Sequence, residues 1–358
     1  MIKYLGSKRR LVPVLGAMWT ASGARTGLDL FTGTTRVAQE FKRRGGFVTA
    51  VDTARYAHVF AQTYVETDAG DIDSQRLAAA ISDINSLVGD PGYVTQTFSE
   101  EARFFHPKNG ARIDAARRHI ADAYAATPLE PLLLTSLIEA ADRVDSTTGV
   151  QMAYLKAWAS RAHNDLTLRM PELLDGSGRA VRGDAVALAG GLGSFDLAYL
   201  DPPYNQHRYT ANYHVWETLV ANDEPEAYGV ARKRIELQSS DATSVFNRKR
   251  LMPEALGSVI AAVDAGLVIV SYNNESWLSL DDLIDMGRPR GDVAVLGFDS
   301  KRYVGAQIGI HNNRGSKVGR VGRLRNTEYL MVCGDPETVE AVVSAAAESA
   351  SMQVAART

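Results

Sequence analysis

Apolar and polar positions alternate in short blocks at the start of the chain. Leu28-Asp29-Leu30 reads as a buried strand, and Phe31-Thr32-Gly33-Thr34-Thr35 as a tight loop leading into a helix over Arg36 to Arg44 that Gly45-Gly46 ends. Phe47 to Asp52 reads as a second strand with an acid at its end. An earlier helix is predicted from Ser7, a good cap, to about Ala17. Strand, Gly loop, helix, strand and acid follow one another as in a mononucleotide-binding half.

From Thr53 to Val181 the periodicity turns helical, with helices predicted over Ser74–Leu87, Ile113–Thr127, Leu132–Arg143 and Met152–Ala162. Strand signals resume at Val181–Gly183, Leu197–Leu200, Leu267–Ser271, Val293–Phe298, Tyr303–Ile310 and Glu328–Val332. An Ala-rich helix is predicted from Pro336 to Ser349. The expected class is α/β, a doubly wound sheet interrupted by a mainly helical inserted domain. Residues 1–56 form its first part, 57–180 the insert, 181–335 the second part with a basic hairpin near 300–325, and 336–358 a terminal helix and tail.

Length, 358 residues, allows about two domains. There is no run of 18 apolar residues and no signal-peptide core, and Cys333 is the single cysteine, expected to fill a buried strand. A cytoplasmic, nucleoid-associated protein without a disulfide, a Cys-based zinc site or a membrane partner is expected. The net charge of −3 disfavours a sequence-blind DNA coat, yet the charge is uneven. Residues 1–48 hold nine Lys/Arg against Asp29 and Glu40, and residues 300–325 hold seven and no acid. Either cluster suits phosphate, or is simply a solvated face.

The densest chemistry is Asp201-Pro202-Pro203-Tyr204, after the apolar run Phe195–Leu200. Two prolines cannot continue a sheet ladder, so the chain leaves the strand as a stiff turn. That turn carries a carboxylate, a carbonyl and an aromatic ring to the strand's C-terminal end, the edge where open parallel sheets bind ligands. The first two can accept the N–H bonds of an exocyclic amine, and the ring can stack on a flat base. Asp52, 23 residues after Asp29, suits two ribose hydroxyls, or a helix cap for the segment from Thr53. Gly183-Asp184, taken alone, is a turn.

Lys3-Tyr4-Leu5-Gly6-Ser7-Lys8, Asp29-Leu30-Phe31-Thr32-Gly33, Asp52, Gly183-Asp184 and Asp201-Pro202-Pro203-Tyr204 occur in that order. The set resembles the Dam-like alpha-group of S-adenosylmethionine-dependent DNA adenine-N6 methyltransferases. The likeness extends through Phe104–Asp114 and Asp145–Val150, and covers all but roughly the last 20 residues. Methylases of restriction systems with asymmetric sites are the nearest subgroup. The resemblance implies a Rossmann-like methyltransferase sheet and S-adenosylmethionine as cofactor. It implies contacts to that cofactor from Tyr4, Gly6, Lys8, Asp29, Phe31, Gly33, Asp52, Asp184 and Asp201. Lys8 is expected to pair with the cofactor's carboxylate or a DNA phosphate. Thr35 departs from the family's second loop glycine, and a β-branched residue is expected to avoid positive φ there.

For the same family, Asp201, Pro202 and Tyr204 would be catalytic. Asp201 and the Pro202 carbonyl accept the amino hydrogens and stabilise charge developing on nitrogen, and Tyr204 stacks on the extruded base. Unstacking costs a few kcal/mol, and stacking returns about 1–3. The leaving group departs neutral, so no metal is expected. Double-stranded DNA is the implied partner, with Arg302, Arg314 and Lys317 of the hairpin, and Lys8, as phosphate contacts. Base reading is assigned to the insert by resemblance. A cognate restriction endonuclease is a candidate partner, and a monomer is expected. Tyr209–Glu217 lines the base pocket or packs as a buried helix, and His214 is expected to be a packed histidine. Two other readings stay open: transfer to a base amino group in RNA or to cytosine N4, against which stand the N-terminal lysine motif and the large insert and, for cytosine, Asp rather than Ser at 201, and an inactive DNA-binding homologue, disfavoured by intact Asp52, Asp184 and Asp201.

Overall fold

A computed structural model describes residues 2–6, 8–203, 208–274, 276–301, 310–311, 317–319 and 325–355. Seven strands form one sheet: β1 (Thr26–Leu30), β2 (Phe47–Asp52), β3 (Arg179–Arg182), β4 (Phe195–Leu200), β5 (Ala265–Asn273), β6 (Asp292–Lys301) and β7 (Arg325–Gly334). Their order is β3-β2-β1-β4-β5-β7-β6. The first five run parallel, and β7 lies antiparallel to both of its neighbours. This is a Rossmann-like, doubly wound sheet, and its order reverses between β1 and β4, the place where open sheets bind ligands.

Period-two alternation gives each sheet face its own core. Leu197, Tyr199, Leu267, Ile269, Leu330 and Val332 pack under α1 (Val12–Ser22), α2 (Arg36–Arg43) and the C-terminal helix Pro336–Ala355. Ala198, Leu200, Val268, Val270, Met331 and Cys333 pack on the opposite side under the helices Met252–Ala262 and Leu280–Gly287. A third core belongs to the helices of the middle segment, among them Ser74–Ser86, Pro107–Tyr124 and Leu129–Val144. Tyr213, and Val215, Trp216 and Leu219 of the helix His214–Ala221 that it precedes, join that core after the Asp201 turn. Among the described residues no helix is long and apolar enough to cross a membrane.

Four local expectations need correcting. The first helix runs Val12–Ser22 rather than Ser7–Ala17, because Pro13 lacks an N–H and is accommodated only in a first turn. The second predicted insert helix begins six residues early, at Pro107, where the His106 side chain caps it. No helix forms over Met152–Ala162; a short 3-10 turn, Ser160–His163, follows extended chain. There Leu155 N–H donates to the Ser146 carbonyl and Arg161 binds Asp145, so tertiary bonds replace the helical ladder. Thr35 does adopt positive φ (60°). Its hydroxyl donates to the Thr34 carbonyl and accepts from Gln39, bonds that offset a conformation costing about 1–2 kcal/mol. The predicted strand Tyr303–Ile310 lies outside the described residues except at its last position, in the two-residue strand Ile310–His311, which pairs antiparallel with Lys317–Gly319.

Candidate active site

A cavity of about 290 Å³ opens at the C-terminal ends of β1, β2 and β4. Six of the predicted site residues line it: Tyr4, Gly6, Phe31, Asp52, Asp184 and Asp201. Pro203 also reaches the wall, Pro202 is buried beside it, and Tyr204 lies outside the described residues. Arg302 and Arg314 lie outside them as well, as does the Lys317 side chain.

Asp52 ends β2 and joins two loops. Its Oδ2 accepts from the Gly33 N–H and its Oδ1 from the Ala54 N–H, each at 2.9 Å. Burial pushes its pKa upward, and these backbone donors partly hold it down. Gly33 has φ +52°, and a Cβ there would stand 3.0 Å from the Tyr4 hydroxyl. Asp184 follows β3 and caps the short helix Ala185–Leu188, with Oδ1 accepting from Val186 and Ala187.

Asp29 is 1% exposed and does not line the cavity. Its Oδ2 accepts from the Thr32 hydroxyl and the Ala38 N–H, fastening the loop after β1 to α2. Burial pushes its carboxyl up to about 7.

Aromatic rings enclose the rest. Phe31 meets Phe246 edge-on, with centroids 4.9 Å apart. Tyr4 stacks between Tyr209 (5.5 Å) and Tyr213 (4.7 Å). Gly6 has φ +72°, and a Cβ there would come within 3.0 Å of the Tyr209 hydroxyl, so the N-terminal loop can approach this stack only with glycine.

Asp201 sits where β4 ends. The Lys8 ammonium meets it at 2.9 Å and also pairs with Glu328 of β7, whose carboxylate accepts from the Ser271 hydroxyl at 3.0 Å. Burial raises the Asp201 pKa to about 6; Lys8 lowers it and Glu328 raises it. Lys8 therefore stands behind the cavity wall between two carboxylates of this chain. His214, by contrast, is fully buried, bonds the Gln151 carbonyl, and is pushed down to about 3 by burial, as a packed histidine should be.

Sequence reading missed Phe246, Tyr56 and Glu328. Glu328 carried a signal, a charge at the start of the otherwise apolar run Tyr329–Cys333. Phe246, in a polar stretch, carried none.

Chemically, the cavity presents three carboxylates and an apolar aromatic slot. That suits a ligand with a flat ring, hydroxyls and an amine. The family model for D12 class N6 adenine-specific DNA methyltransferases matches residues 4–278. The chain is 31% identical over 305 residues to the modification methylase StsI of Streptococcus sanguinis, covering 80% of this chain and 46% of that one. It is 26% identical to the modification methylase LlaI of Lactococcus lactis subsp. lactis, over 84% of this chain and 51% of that one. It is 25% identical to the type II methyltransferase M.NlaIII of Neisseria lactamica, over 84% and 92%. The chain thus spans about half the length of StsI and LlaI and most of M.NlaIII.

Proposed function

Because this chain belongs to the D12 class of N6 adenine-specific DNA methyltransferases, we propose that it methylates N6 of adenine in DNA from S-adenosylmethionine, with Asp201 as the acceptor for the target amine. The observation carrying this reading is that Asp201 shares one cavity wall with Asp52 and Asp184, all at strand ends.

The residues fit the cofactor. A carboxylate has about four acceptor sites, so Asp52, which accepts from the Gly33 and Ala54 N–H groups, keeps capacity for ribose hydroxyl contact. Both cap bonds of Asp184 fall on Oδ1, which leaves Oδ2 for an adenine amino group. Phe31 and Phe246 form the ring slot. Tyr4 and Gly6 line the cavity and would hold the methionine end, with Gly33 packed against Tyr4, while Asp29 would act through the loop it fastens. S-adenosylmethionine, when bound, supplies a methyl carbon activated by its sulfonium.

Adenine's amino nitrogen is a poor nucleophile because its lone pair is delocalised into the ring. Asp201 accepts one of its hydrogens and the Pro202 carbonyl the other, which favours a pyramidal nitrogen. The Asp201 charge also stabilises positive charge growing on that nitrogen, so the interaction strengthens toward the transition state. Asp201 can then take the released proton. Tyr204 is proposed to stack on the extruded base, and the basic hairpin with Arg302, Arg314 and Lys317 to contact phosphate. Residues 57–180 are proposed to read the sequence, and a cognate restriction endonuclease is the proposed partner.

The test is to incubate the protein with tritiated S-adenosylmethionine and unmethylated DNA, then digest to nucleosides. Label in N6-methyldeoxyadenosine is expected. Label in N4-methyldeoxycytidine, or only in RNA offered in parallel, would overturn the assignment.

A further inference from the structure

Lys8 presents a difficulty for the proposed chemistry. An acceptor for a weakly nucleophilic amine must carry charge, yet an ammonium 2.9 Å from Asp201, 8% exposed and poorly screened, would neutralise much of it. The second carboxylate on that ammonium resolves the difficulty. Lys8 Nζ also pairs with Glu328, itself 8% exposed and anchored through Ser271. Two acids and one base leave the cluster with one net negative charge. Without Glu328 the cluster would be neutral.

We propose that Glu328 is a positioning residue that shares the Lys8 ammonium and so keeps Asp201 a strong proton acceptor, its charge only partly offset by that ammonium. Glu328 lies on β7, outside the stretch 4–278 matched by the family model. It reaches the site because β7 inserts antiparallel between β5 and β6, bringing Glu328 opposite Phe298 on one side and Asn273 on the other, near the C-terminal end of β5. Among the described residues, the groups that act on Asp201 come from four elements: Lys8 before α1, Asp29 on β1, Tyr199 on β4 and Glu328 on β7. Lys8 is the cation among them, so how its charge is divided sets the acceptor's strength. The inference rests on Asp201 being the acceptor in the reading above.

The variant is Glu328→Gln, close in shape and without the charge. Turnover is read against pH, and the Asp201 carboxyl is titrated by its carbon-13 resonance, identified by its loss in Asp201→Asn. Removing a negative charge must lower the Asp201 pKa. The carboxyl midpoint should fall by roughly 1 pH unit, with the acid limb of kcat/KM following it. Above that limb kcat should drop at least about tenfold while KM for the cofactor stays within about twofold, because a less basic acceptor, its charge offset by the whole of the Lys8 ammonium, weakens the transition state and leaves cofactor binding intact. Glu328→Asp should restore part of kcat. Lys8→Met should move the midpoint the opposite way, and it keeps the idea testable if Glu328→Gln does not fold. An Asp201 midpoint unmoved by either change would overturn the proposal. If the wild-type protein transfers no methyl to adenine, the functional reading fails, and the carboxyl titration still decides the role of Glu328.

Discussion

Replacing Asp52 with alanine separates two duties of one carboxylate. In the structure it accepts two backbone N–H bonds at 2.9 Å, from Gly33 and Ala54, tying the loop after β1 to the turn after β2. Hydrogen bonds to a charged group contribute about 1.5–3 kcal/mol each. Burial has already raised the pKa of this carboxyl, so desolvation offsets part of that gain. A net loss of about 2–3 kcal/mol is expected, which lowers the melting temperature by roughly 3–4 °C for a protein of this size. If the same carboxylate also holds two ribose hydroxyls, affinity for S-adenosylhomocysteine should fall at least about a hundredfold. Calorimetric titration measures that directly. Loop collapse could mimic it, so the titration is repeated with a 2′-deoxy ligand. The deoxy ligand should bind wild type more weakly than its ribo parent, and Asp52→Ala equally with both. A wild-type preference for the hydroxyl that survives in Asp52→Ala would refute the ribose role. An unchanged melting temperature would refute the loop tie.

Three further outcomes follow from the geometry. The Asp29 carboxyl rises from 3.8 to about 7 on folding, so the fold favours its protonated form; that contribution is complete below pH 4, is lost as pH rises to about 7, and amounts to about 4 kcal/mol. Asp29→Asn should therefore flatten the decline of stability from pH 5 to pH 8, and equal slopes in melting experiments would contradict the assignment; Asp142 and Asp201, each raised to about 6, keep the slope from vanishing. Phe246→Ala empties a 1% exposed site against Phe31 and should cost about 3–5 kcal/mol in urea unfolding; a loss under about 1 would mean that the loop simply closes over the gap. Lys42 donates to the Val65 and Thr67 carbonyls at 2.9 and 2.6 Å, closing the π-helical turn Gln62–Glu66. Lys42→Met leaves those carbonyls without their donor and should cost about 2–4 kcal/mol by the same measurement, with no loss refuting the closure.

What could be read from the sequence was what local pattern controls. The strand Phe47–Asp52 occurs residue for residue as its periodicity predicts, and the acids at 52 and 201 stand at strand ends because apolar runs stop there, while Asp184 follows the short strand Arg179–Arg182 after Gly183. Pattern failed where a local preference met a stronger constraint. Met152–Ala162 has helical spacing, but its polar groups bond to Asp145 and Ser146 instead. Thr35 accepts an unfavourable φ because its hydroxyl has partners there. The Lys8–Glu328 pair joins residues 320 positions apart, and only the antiparallel insertion of β7 brings them together. Phe246 reaches Phe31 through a loop whose path no periodicity encodes.

The shared third core limits how sequence specificity could be exchanged between relatives. Tyr213, Trp216 and Leu219 are interior residues of the middle segment's core although they follow the Asp201 turn. Gln151 grips the same helix through the Val215 N–H and the His214 ring. A graft cut at residues 57 and 180 would therefore bring foreign side chains against half of a mismatched interior. If residues 57–180 read the sequence as proposed, a workable chimera has two seams, with residues 209–221 travelling alongside the insert, and the exchanged unit is discontinuous in sequence.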